Sequence, residues 1–109
     1  MAVSKSPTDS SRTAADRFGD DVTVVQKPGL LEAEVDGEIV ALHIESGKCY
    51  GMNAVSSHIW SLLASPHTVG SVRTTLMERY AVAEDECREQ VALHLAQLES
   101  EGLISVTTP

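Results

Sequence analysis

Between Leu30 and Val106 the apolar positions recur first at every second residue, then at every third or fourth. The stretch LLEAEVD, Leu30 to Asp36, sets Leu31, Ala33 and Val35 against Glu32, Glu34 and Asp36. That alternation predicts a half-buried strand. Asp36-Gly37 follows, a pair suited to the positive φ that both centres of a type I′ hairpin turn require. Ile39 to Glu45 is the returning strand, Ser46-Gly47 the next turn, and Lys48 to Met52 a third strand. The pieces describe an antiparallel meander. A sheet of this size cannot cover itself, so the side bearing Leu31, Ala33 and Val35 is expected to lie on helices.

At Asn53 the period changes with no loop between. Asn53 suits an N-cap, where its side chain accepts from an N–H two or three residues on. Val55, Ile59, Leu62 and Leu63, with Trp60, then form a helical stripe that Ser65-Pro66 ends. Thr68 is a second N-cap, and Val69, Val72, Leu76 and Tyr80 mark one face of the next helix. His67 falls in the turn between them. A third helix starts near Ala83 or Glu84, its early acids suiting the positive end of the helix dipole. Cys87, Val91, Leu95 and Leu98 make its buried stripe, and Gly102 reads as the residue that stops it. Leu103 to Val106 packs back as a short extended tail. Upstream, Val22 to Gln26 is a short strand or an extended lead-in, punctuated by Pro28-Gly29. Residues 1–21 carry Ser, Thr and Asp without an apolar period, which predicts a flexible tail before a single folded domain over 22–109. The expected fold class is α+β: a winged-helix-like arrangement of a three-stranded antiparallel sheet followed by three helices.

Composition narrows the function. The chain has 109 residues with one Trp, two Tyr and one Phe, so its core is built mostly from aliphatic side chains. No window approaches the roughly 18 apolar residues of a membrane span. The N-terminal stretch lacks the apolar centre of a secretory signal, and a cytoplasmic location without membrane contact is the expectation. The net charge of −8 speaks against nucleic acid, whose phosphates call for clustered Lys and Arg. Cys49 and Cys87 belong to no C-x-x-C pair, and two free thiols are expected.

Catalytic chemistry finds no support. Ser56, Ser57 and His58 are neighbours in sequence, but adjacent positions on a helix diverge. His43, His67 and His94 form no pair at metal-ligand spacing, and the seven glycines stand singly rather than as a phosphate loop. The expectation is a protein that is not an enzyme and has neither metal nor cofactor. A winged-helix regulator, binding DNA or a protein partner, fits the element count and is the alternative. Its second helix, however, offers only Arg73 and Arg79, and its third is acidic.

The third strand then draws the argument. In a plain meander it is an edge, and Lys48 is the only charged residue in Lys48–Met52, with no Pro to block pairing. Such an edge is either simply short, or shielded by the N-terminal segment, or kept free to receive another chain by strand addition.

The ordered set Gly47-Lys48-Cys49-Tyr50-Gly51-Met52-Asn53, Ile59-Trp60, Thr68-Val69, and Glu86-Cys87 through Val91, Leu95, Leu98 and Gly102-Leu103-Ile104 resembles PqqD-like proteins. These are the recognition elements of pathways that modify ribosomally made peptides. Among them the chain looks most like the stand-alone leader-binding subunit of lasso-peptide biosynthesis. The resemblance implies a non-enzymatic peptide chaperone. It would bind the leader segment of a precursor peptide and present it to a separate leader protease and an ATP-dependent macrolactam cyclase. The leader would lie as an extra strand on Lys48, Cys49, Tyr50, Gly51 and Met52. The facing wall of the third helix would come from Arg88, Val91, Ala92 and Leu95. Where the family often has large aromatics, this chain has His94 and Cys49.

Overall fold

A computed structural model describes residues 17–109. In chain order the elements are β1 (Thr23–Gln26), β2 (Leu30–Val35), β3 (Glu38–His43), β4 (Cys49–Met52), α1 (Ala54–Leu62), β5 (His67–Thr68), α2 (Val69–Arg79), α3 (Glu84–Ser100) and β6 (Ile104–Thr107). The predicted meander is present as a three-stranded antiparallel sheet in the order β2-β3-β4. Three helices follow it, as the periodicity requires.

A second sheet, in the order β5-β1-β6, was only half visible in the sequence. The lead-in at Val22–Gln26 is its central strand, and the C-terminal LISV segment pairs with it, Val24 opposite Val106 and Gln26 opposite Ile104. His67 lies in the short strand β5 rather than in a turn, opposite Val24. Gln26 also secures the end of α1. Its N–H donates to Leu63 O at 2.8 Å and its side-chain amide to Trp60 O at 2.7 Å. Leu63 O, which the helix end leaves unpaired, is thereby satisfied, and Trp60 O, which already accepts from Leu63 N at 3.1 Å, gains a second donor.

The N-terminal boundary lies earlier than the composition suggested. Phe18 is 1% exposed and belongs to the core. The Asp20 carboxylate forms a two-pronged ion pair with the buried Arg73 guanidinium of α2, one prong at 2.9 Å. Residues 17–21 are therefore part of the folded body. One aromatic and one acid do this, too little to produce a period that sequence reading detects. The remainder of the expected tail, residues 1–16, lies outside the described residues.

The core collects Trp60, Leu63, Val72, Leu95 and Leu103 from the helices and the following turn, Val24 from β1, and Ile39, Ala41 and Met52 from the inner face of the first sheet. The caps fall where expected: Asn53 Oδ1 accepts from Ser56 N at 2.9 Å, and Thr68 Oγ1 from Ser71 N at 3.1 Å. Gly102 stops α3 at φ 76°.

One expectation is reversed. Leu31 and Val35 are 59% and 56% exposed, so the apolar side of β2 faces outward. Glu32 and Glu34 share the inner face with Ala41 and Ile39, their partners in register. The turn explains this. Asp36 and Gly37 both have positive φ, 54° and 82°, the two-residue type I′ connection. It pairs Val35 with Glu38 and slaves the phase of β2 to that of β3. Ile39 and Ala41 fix β3 in the core, and a shift of one residue would turn every β2 side chain over. Alternation thus identifies a strand without saying which side is inside.

Candidate functional site

The site is built on β4. The first sheet ends there, and among the described residues nothing pairs with its outer edge. Which backbone groups the edge offers follows from the ladder. In an antiparallel pair, hydrogen-bonded and non-hydrogen-bonded residue pairs alternate. His43 N donates to Lys48 O at 2.8 Å. The pairs Ala41–Tyr50 and Ile39–Met52 therefore also turn their backbone groups toward each other. Cys49 and Gly51 lie between them and aim N–H and C=O at the open side.

The last rung is made by a side chain. Ser57 Oγ accepts from Ile39 N at 2.8 Å and donates to Met52 O at 3.0 Å, bridging the end of the β3–β4 ladder from α1. With the Asn53 cap directly after Met52, this joins strand and helix into one rigid piece. The edge is held in register before anything docks on it.

The other wall is α3, which β4 follows in the opposite direction. At one end the Tyr50 hydroxyl donates to Glu101 Oε1 at 3.0 Å, with Lys48 Nζ 3.4 Å from the same oxygen. Burial, and then the Glu101 carboxylate, raise the Tyr50 phenol above its ordinary pKa. At the other end, past Asn53, a cavity of about 370 Å³ opens between α1 and α3. Val55 and Ile59 of α1, Tyr80 and Val82 beyond α2, and Val91 and His94 of α3 line it. Burial holds the His94 imidazole below its ordinary pKa. Its Nε2 is buried without a hydrogen-bond partner among the described residues. The cavity has the size and the largely apolar lining for one or two apolar side chains.

The residues marked by sequence distribute unevenly over this site. Lys48, Cys49, Tyr50, Gly51 and Met52 lie on or beside the open strand, and Val91 lines the cavity. Ala92 and Leu95 are fully buried in the core. Arg88 reaches toward Glu84 at 3.8 Å, and Glu84 also approaches Arg73. The helix wall next to the cavity is instead Glu86, Gln90, Val91 and His94. Glu86, Gln90 and His94 share one flank of α3 at spacings of four and eight, with Val91 beside them. Sequence reading passed over Glu86 and Gln90 because polar helix positions look like ordinary solvated surface. The signal within reach was Val55, an apolar residue left 41% exposed at the start of α1.

Other chemistry has little to work with. Cys49 is exposed and Cys87 buried, both as free thiols. Among the described residues no group of three His, Cys, Asp or Glu could hold a metal ion. No described helix is long and apolar enough to cross a membrane.

Two solved structures share the fold. TbiB1 in complex with the TbiA(beta) leader peptide superposes with a TM-score of 0.68 at 25% identity, over 74% of this chain and 94% of that one. A lasso peptide synthetase B1 complexed with the leader peptide gives a TM-score of 0.67 at 22% identity, over 75% and 96%. No match is found among curated proteins. The family of coenzyme PQQ synthesis protein D (PqqD) matches residues 38–104, more than half of the sequence, and the chain belongs to that family.

Proposed function

We propose that this protein recognises the leader segment of a ribosomally made precursor peptide of the lasso kind and holds it as a fourth strand on β4. The observation that carries the reading is the open, pre-ordered edge of β4 beside an apolar cavity. Two structures of the same fold, TbiB1 and a lasso peptide synthetase B1, are complexes with leader peptides. Backbone groups of Cys49 and Gly51 supply sequence-tolerant pairing, while the cavity beside Val91 and His94 supplies selectivity. Because the edge is already ordered, only the peptide loses conformational freedom on binding. The protein itself makes and breaks no bonds. It presents the bound precursor, in the cytoplasm, to a leader protease and an ATP-dependent cyclase of the same pathway.

The test is a titration of the protein with the synthetic leader of the precursor encoded beside its gene, and separately with duplex DNA, read by fluorescence anisotropy. Saturable binding of the leader alone is expected. Binding of DNA with a steep salt slope, and no binding of leader, overturns the proposal.

A further inference from the structure

Among the described residues, five of the six large apolar side chains left most exposed are Leu31, Val35, Val40, Leu42 and Ile44. All have the outward parity of the first sheet, on β2, on β3 and just beyond it. A contiguous apolar face of this kind marks an interaction surface. It is continuous with the open edge. Leu42 stands beside Cys49 and Val40 beside Gly51 in register. A Cβ built at Gly51 meets nothing within 4 Å. A strip of bare backbone therefore separates Val40 from the free side of β4.

A strand added to β4 sends alternate side chains to the two faces of the sheet. Those facing inward reach the cavity. Those facing outward land on Cys49 and Gly51, and a large one opposite Gly51 has no side chain in its way. Covering an edge glycine with a cross-strand aromatic is a known stabilising arrangement in sheets. We propose that the outer face is a second specificity surface for the docked leader, whose outward-facing residues are apolar, a large one packing over Gly51 onto Val40 and Leu42.

The inference rests on the leader-binding reading of the β4 edge and adds to it the chemistry of the peptide. The recognised segment is apolar on both parities rather than amphipathic. A second copy of the chain is a poorer occupant. Glu38 shares the face, Asp36 and Glu45 flank it in the turns, and the chain carries a net charge of −8. Apposing two such faces would set acid against acid.

The experiment compares Kd for the fluorescein-labelled synthetic leader of the neighbouring precursor gene on wild type, Val40→Ser, Leu42→Ser and Leu31→Ser. Leu31 lies on β2, about 10 Å from β4 at the usual strand spacing, and serves as the control. Val40→Ser and Leu42→Ser are expected to weaken binding about three- to fivefold, the upper part of the range of a cross-strand apolar pair, with Leu31→Ser unchanged. Serine at the responsible outward position of the peptide should weaken binding to wild type and have little further effect on Leu42→Ser. Unchanged affinity in folded Val40→Ser and Leu42→Ser overturns the inference and leaves leader binding intact. So does an equal loss in Leu31→Ser, or a dimer in sedimentation that Leu42→Ser disperses. A wild-type protein that leaves the peptide unbound overturns both.

Discussion

The indole N–H of Trp60 donates to Glu32 Oε2 at 2.8 Å. Trp60 is fully buried, and its partner comes from the strand whose acids turn inward. The apparent polarity error of β2 thus has a use, since a buried indole N–H without an acceptor is costly. Glu32→Ala should destabilise the fold by about 1–3 kcal/mol, with Glu32→Gln retaining an acceptor and losing less. Urea unfolding followed by tryptophan emission measures this cleanly, because the chain has a single Trp.

Ser57→Ala removes the hydroxyl that joins Ile39 N to Met52 O. It leaves a buried donor and acceptor unpaired, at an expected cost of about 1–3 kcal/mol. The loss should be local as well as global. Hydrogen exchange at the Ile39 amide should accelerate more than exchange in the middle of α2.

Gly51→Pro separates the edge from the fold. The Gly51 N–H points to the open side, so its loss spares the β3–β4 ladder, and Pro is tolerated on an edge strand. Gly51 also has room for added atoms. The variant should keep its circular dichroism and lose about tenfold or more in leader affinity, since one backbone bond is deleted and the ring obstructs pairing. A folded variant with unaltered affinity would remove β4 as the docking edge.

Two half-buried histidines set a pH dependence. Burial lowers the pKa of His94, and burial followed by the Arg79 charge lowers that of His58. Both are therefore neutral in the fold at pH values where the unfolded chain, near the ordinary value of about 6.5, already takes up protons. Their contribution to stability is complete above that value and is lost as pH falls from it toward the folded pKa. The melting temperature should fall between pH 7 and pH 5, and His94→Phe should make the fall shallower.

Much of this architecture was legible in the residues. Asp36-Gly37 specified a two-residue turn, Asn53 and Thr68 specified helix starts, and Gly102 specified a helix end. Each of these signals acts through local backbone geometry. What stayed hidden depends on partners distant in sequence. The inward sense of Glu32 needs the core contacts of Ile39 and Ala41, transmitted through a turn. The second sheet needs β1 to meet β6, some eighty residues apart. Around the candidate site, the strand β4 was readable in the alternation, and the flank of α3 that lines the cavity was not. The stripe of Cys87, Val91, Leu95 and Leu98 is the strongest pattern on α3, but a strong stripe reports what is packed away. The cavity lies along its flank, where Glu86, Gln90 and His94 join Val91 of the stripe, and polar residues spaced by four read as ordinary solvated surface.

The two-residue length of the Asp36-Gly37 connection has an evolutionary corollary. Inserting one residue beside it while the turn itself keeps two residues would shift the register by one and roll LLEAEV over, hiding Leu31 and Val35 and displaying Glu32 and Glu34. Trp60 would lose its acceptor in the same stroke. Relatives could therefore switch the outside of this hairpin from greasy to charged by one inserted codon, with β3 and every helix left as they are.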